Sequence, residues 1–187
     1  MSPRTARIVL AVYLVAIYAT LGVVRTITNA LRDRGILRVS VVVAFAMTAV
    51  LVLWWIFRDA RRRSWRFVSL LAIVACVYAA VIYPMESPEE KIHFIEYGVV
   101  AWLAYASTKR YIISAGFVTA AGWIDELIQG LLPSRFYDLR DVAFNAAAGL
   151  LALGAIAIFS RYERAVGTDR SEAVALDSVH GGTRGDG

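Results

Sequence analysis

Apolar residues in this chain come in long blocks. They show neither the alternation of a half-buried strand nor the three-and-four spacing of a soluble amphipathic helix. Six blocks lie at roughly 8–28, 39–57, 67–84, 92–108, 111–129 and 142–159, each near the ~20 residues that a helix needs to cross a hydrocarbon core. The pattern predicts an all-α polytopic transmembrane helical bundle of about six spans. Arg4 and Arg7 precede the first block as in a secretory signal. Its apolar run from Ile8 to Val24 is too long for a signal core, however, and no small-residue cleavage site follows, so it is expected to be retained. The fourth and fifth blocks are the least apolar, because they carry His93, Glu96, Asp125 and Glu126. Connections at 58–66, 84–91, 108–110 and 130–141 are too short to fold alone. The segment 161–187, rich in Gly, Asp, Ser and Thr, is expected to be a disordered tail.

Composition supports this reading. Of 187 residues, 59% are apolar or aromatic and 19% charged, with mean hydropathy +0.59. An ordinary soluble domain has about 45–50% and about 25%, which excludes both a water-soluble globule and a chain disordered over most of its length. The formal charge is +5, carried almost wholly by arginines at block ends. This distribution points to lipid and topology charge, not nucleic-acid binding. With the N-terminus inside, eleven Lys and Arg fall on the inner side near span ends and seven on the outer side. That predicts a multi-pass protein of the cell membrane with both termini cytoplasmic, although Arg25, Arg32, Arg34 and Arg38 weigh the other way. The five arginines of 58–66 read as a topology determinant, with contact to anionic lipid worth about 1 kcal/mol per charge. Cys76 is the single cysteine, so no intrachain disulfide forms.

The informative residues are those that hydrophobicity should have excluded. A charge near a span centre costs about 2.5–3.5 kcal/mol on insertion scales and usually faces the bundle interior. Such residues collect at the start of the fourth block (Lys91, His93, Glu96, Tyr97) and the end of the fifth (Asp125, Glu126, Gln129). A third group lies around the start of the sixth (Arg135, Asp138, Asp141, Asn145). By parity all three ends meet one side of the membrane, the extracytoplasmic side on the charge tally. Helical spacing aligns His93 with Glu96 and Tyr97, Glu126 with Gln129, and Asp141 with Asn145. A fifth-block seam of Ala115, Thr119, Gly122, Glu126 and Gln129 and a sixth-block face of Asn145, Ala148, Gly149 and Ala152 predict close helix packing through small residues.

Two of these segments carry a resemblance. Glu90-Lys91-x-His93-Phe94-x-x-Tyr97 is similar to one signature of the VanZ-like family of membrane proteins. A second signature is matched by Asp125-Glu126-x-x-Gln129, continuing through Pro133, Arg135, Asp138, Asp141, Asn145 and Gly149. Glu90 stands where Asp is common in that family. The resemblance covers about residues 67–159 and implies a VanZ-like four-helix transmembrane domain at 67–160. Residues 1–66 are then two additional N-terminal helices with the Arg-rich loop. It also implies an envelope-related membrane protein associated with resistance to teicoplanin-type glycopeptides, without supplying a reaction.

Three roles suit the cluster. As a binding site, Arg135 offers a rigid fork of donors for phosphate or carboxylate, and Lys91 adds a point charge. Asn145, Gln129 and Tyr97 then orient a lipid-linked or peptidic envelope ligand, such as a lipid-linked cell-wall precursor. As an enzyme acting on lipid-linked phosphates, Glu126 and Asp125 opposite Glu96 and His93 would form an acid–base pair. The chain lacks a HExxH zinc motif and a G-x-S-x-G elbow, and Cys76 has no helical His neighbour. The balance thus leans away from an enzyme, and no metal or cofactor is expected. As a packing device, Asp138 and Asp141 cap the sixth helix, Arg135 pairs with a neighbouring carboxylate, and Asn145 bonds to Gln129. Expected partners are membrane lipids and no nucleic acid.

Overall fold

The computed structural model describes residues 1–58, 64–83, 85, 88–132 and 137–181. Six helices run through them in order: α1 (Pro3–Asp33), α2 (Leu37–Phe57), α3 (Trp65–Ile82), α4 (Pro88–Thr108), α5 (Tyr111–Gly130) and α6 (Leu139–Gly181). Local chemistry explains their ends. The Ser2 hydroxyl accepts from the Thr5 amide at 3.1 Å, and Pro3 follows at the first helical position. The α1–α2 turn is a Schellman motif. The Ile36 amide donates to the Leu31 carbonyl and Gly35 to Arg32, with Gly35 at φ +68° where a side chain would be strained. Ser64 caps α3 by accepting from the Phe67 amide.

Four helical segments are long and apolar enough to cross a membrane: Pro3–Val23, Trp65–Ile82, Tyr111–Gly130 and Leu139–Thr168. The pair Thr26–Asp33 and Leu37–Leu51, bent by 118°, makes a fifth if it is one broken span. Length and composition thus support four to five spans among the described residues, fewer than the six read from the blocks. The block at 92–108 falls short because the polar start of α4 dilutes its hydropathy. A second difference lies at the C-terminus. α6 continues past Ser160, where the tail was expected to begin, and its candidate span runs to Thr168. Arg161, Glu163, Arg164 and Ala165 are good helix formers and carry the helix past the apolar block, where Tyr162 still packs on Phe67.

The position of α4 explains its composition. It packs against α6, α1, α5 and α2. Phe94, Tyr97, Val100, Ala101, Leu103 and Ala104 on it are all buried. A helix enclosed by others need not be apolar all round. α1 contributes Leu10, Ile17 and Leu21 to the same core. α5 and α6 meet through glycine. A Cβ on Gly149 would lie 2.0 Å from Val118 Cγ1, and one on Gly122 would lie 2.8 Å from Asn145 Cβ. The buried stripe of α5 is Ser114, Val118, Ala121, Gly122, Asp125, Glu126 and Gln129. Its first half is rotated slightly from the predicted seam: Ser114 and Val118 are buried, and Ala115 and Thr119 are half-buried beside them, with Ala115 packed against the core.

α2 and α3 are peripheral. α3 touches the bundle through α6, where Phe67 packs on Phe159 and Tyr162 and the Ser64 hydroxyl bonds to that of Tyr162. α2 leaves Val39, Val42, Val43, Met47, Val50 and Trp54 exposed, a surface suited to lipid.

Candidate functional site

The start of α4, the end of α5 and the start of α6 come together at one end of the bundle, as parity predicted. The turn 109–110 between α4 and α5, with Lys109 at φ 56°, makes those two helices antiparallel neighbours. At the start of α6, Asp138 Oδ1 accepts from the Arg140 amide at 2.8 Å, and the Asp138 carbonyl accepts from the Asp141 and Val142 amides. This is the N-cap geometry of a helix start.

Two adjacent carboxylates at the end of α5 are fully buried, Asp125 and Glu126, each at 0% exposure. Successive residues on a helix point about 100° apart, and these two accordingly meet different neighbours. Asp125 faces α4. Its Oδ2 lies 3.8 Å from His93 Nδ1, and that same nitrogen lies 3.3 Å from Glu96 Oε2. Tyr97 and Gln129 neighbour the Asp125 carboxylate, yet neither oxygen closes a hydrogen bond of ordinary geometry. Glu126 faces α6. Its Oε2 accepts from the Asp138 amide at 3.4 Å, with Asp141 alongside, while Oε1 has no hydrogen-bond partner.

Below this pair, Asn145 of α6 sits against Gly122, which the Tyr97 ring also approaches. It is buried, and neither its Oδ1 nor its Nδ2 has a hydrogen-bond partner. Gln129 Nε2 is in the same condition. A buried polar group left without a partner costs about 1–3 kcal/mol, so this end of the bundle holds several kcal/mol of unmet hydrogen bonding. The interhelical Asn145–Gln129 bond anticipated from the sequence is not formed. Lys91 and Asp141 are half-buried at the rim, and Asp138 is exposed. Arg135 lies outside the described residues, as does Pro133.

Asp125 and Glu126, both named from the sequence, are equally buried. The site also has a member that the sequence reading passed over, and it comes from α1. The Tyr18 hydroxyl donates to the Ala121 carbonyl at 2.9 Å, and the Tyr97 hydroxyl donates to the same oxygen at 3.3 Å. Two phenols from two helices thus converge one turn before Asp125 and fasten α1 and α4 to α5. Tyr13 also approaches the cluster, beside Glu96. The available signal was the buried stripe Leu10, Ile17 and Leu21, at steps of seven and four, which carries Tyr13 and Tyr18 inward with it.

Chemically, the arrangement offers buried acceptors, two amides and one imidazole held between two carboxylates. Among the described residues, no group of three or more His, Cys, Asp and Glu is arranged to hold a metal ion. No family model matches the chain, and no curated protein or solved structure matches it either.

Proposed function

We propose that this chain is a VanZ-like multi-pass membrane protein whose polar cluster binds an envelope ligand, lipid-linked or glycopeptide-related, at the extracytoplasmic face. Six spans with both termini cytoplasmic fit the proposal when α2 and α4 are each counted as crossing. One observation carries the binding reading. The Asn145 amide is buried against Gly122 of α5 with both polar atoms unpartnered, and Glu126, four residues along α5 from Gly122, has an unpartnered Oε1 as well. Packing alone favours an apolar residue or a closed pair at such a position, whereas a ligand that inserts donors and acceptors removes the deficit. Lys91 then holds an anionic headgroup at the rim, with Arg135 of the 130–141 connection as a second cation in the sequence, which connects the site to glycopeptide resistance through cell-wall precursors.

A helix-locking role is the second reading, and the α5–α6 contact supports it. Gly122 lets the Asn145 side chain approach the α5 backbone closely, so Asn145 can serve packing. Native mass spectrometry of the full chain after gentle extraction separates the two. The binding reading expects a lipid or precursor adduct on the parent protein that Asn145→Leu abolishes. Bare protein from both the parent and Asn145→Leu would overturn it.

A further inference from the structure

The proposed ligand leaves one part of the cluster unused, the line that runs from Glu96 through His93 to Asp125. Exposure falls steadily along it, from 26% for the Glu96 side chain to 13% for His93 and 0% for Asp125. The spacing is short, at 3.3 Å and then 3.8 Å, and both contacts use His93 Nδ1. A small rotation of one imidazole therefore moves a single nitrogen from a carboxylate at the membrane face to one that solvent does not reach. Gln129 supplies an independent sign that something is missing. It is buried beside Asp125, and its Nε2 closes no hydrogen bond.

We infer that Glu96, His93 and Asp125 form a one-sided proton-exchange path that loads and unloads the buried Asp125 carboxylate from the membrane face. The proton passes from Glu96 Oε2 to His93 Nδ1, leaving a carboxylate and an imidazolium. The ring turns, and Nδ1 hands the same proton to Asp125 Oδ2, restoring neutral imidazole and giving a carboxylic acid. The reverse sequence unloads it. A buried carboxylate without hydrogen bonds is tolerated when it is neutralised by a proton or by a paired cation, and His93 can supply either. His is the side chain suited to such shuttling.

The surrounding titratable groups divide into two sets. Tyr13 and Tyr18 of α1 neighbour Glu96 and Asp125 respectively, and Tyr97 of α4 neighbours Asp125, so phenols line the path. Asp138 and Asp141 of α6 associate with Glu126 of α5 on the other side, and Lys91 stands half-buried five residues before Glu96. The opposite turn of α4 and α5, Thr108–Ser114, contains no carboxylate. Along α4 and α5 the proposed path runs no further than Asp125 and so serves as a loading device. This inference is independent of any envelope ligand.

Time-resolved infrared spectroscopy of the full chain in lipid nanodiscs, after a jump to lower pH, tests it. A carboxylic-acid carbonyl band that Asp125→Asn removes should grow after the jump. His93→Ala should slow that growth by about 100-fold, the usual scale of a positioned acid–base group, and free imidazole should restore it. If His93→Ala fails to fold, Glu96→Gln on the partly exposed carboxylate answers the same question, with slower growth of the same band expected. The inference is overturned if no band belongs to Asp125 at any pH. It is equally overturned if the rate is unchanged in folded His93→Ala or, where that variant does not fold, in Glu96→Gln.

Discussion

The two ends of the α4–α5 hairpin are built from similar numbers of polar residues and handle them in opposite ways. At the turn, Thr108 Oγ1 reaches the Ala104 carbonyl, accepts from the Arg110 amide and bonds to Ser114 Oγ at 2.9 Å, while Ser107 Oγ also reaches Ala104. The Ser114 hydroxyl bonds to the Arg110 carbonyl as well. These groups are neutral, local and paired, apart from the Tyr111 hydroxyl stacked beside Tyr105. At the other end the groups are carboxylates, amides and an imidazole. They come from three helices, and Asp125, Asn145, Glu126 Oε1 and Gln129 Nε2 lack hydrogen-bond partners. Polarity within an apolar segment thus does not by itself mark a site. Short-range hydroxyls serve the turn, whereas long-range unpaired groups leave work for something else to do.

Three substitutions sharpen the contrast. The largest effect belongs to the framework that holds both ends. Gly149→Val forces a side chain into Val118 and should cost about 2–3 kcal/mol, read as a clear fall in melting temperature in detergent. Tyr18→Phe removes the α1 hydrogen bond to Ala121 and should cost about 1 kcal/mol in the same assay. A similar loss of about 1 kcal/mol is expected for Ser114→Ala at the turn, with no effect on an adduct bound at the opposite end. A cost well above that from Ser114→Ala would place the essential polar packing at the turn and reverse the comparison.

Much of this was legible in the chain. The helical class followed from the blocks, and the convergence of the starts of α4 and α6 with the end of α5 followed from parity alone. The facing of each helix was harder to read. In a segment such as Val39–Met47 or Ala115–Gly122, lipid-facing and core-facing positions are both apolar, so there is little contrast for a period to show. That is why the α5 seam was placed on the half-buried Ala115 and Thr119 and missed the fully buried Ser114 and Val118 beside them. The polar start of α4 was read as a weak span, although it reflects a helix enclosed by its neighbours. The split between Asp125 toward α4 and Glu126 toward α6 depends on which helix stands where. A single chain's spacing does not encode that, and it also hid the contribution of Tyr18.

The central claim is that the buried amide and carboxylates at this end are held for a partner and not for packing. The melting temperature of Asn145→Leu in detergent tests it most directly. Leucine keeps the approximate shape of the side chain and removes two unpartnered polar atoms, so replacement should be neutral or stabilising. The account predicts a melting temperature equal to or above that of the parent protein. A fall comparable to that of Gly149→Val would show that Asn145 is a packing residue and would contradict it.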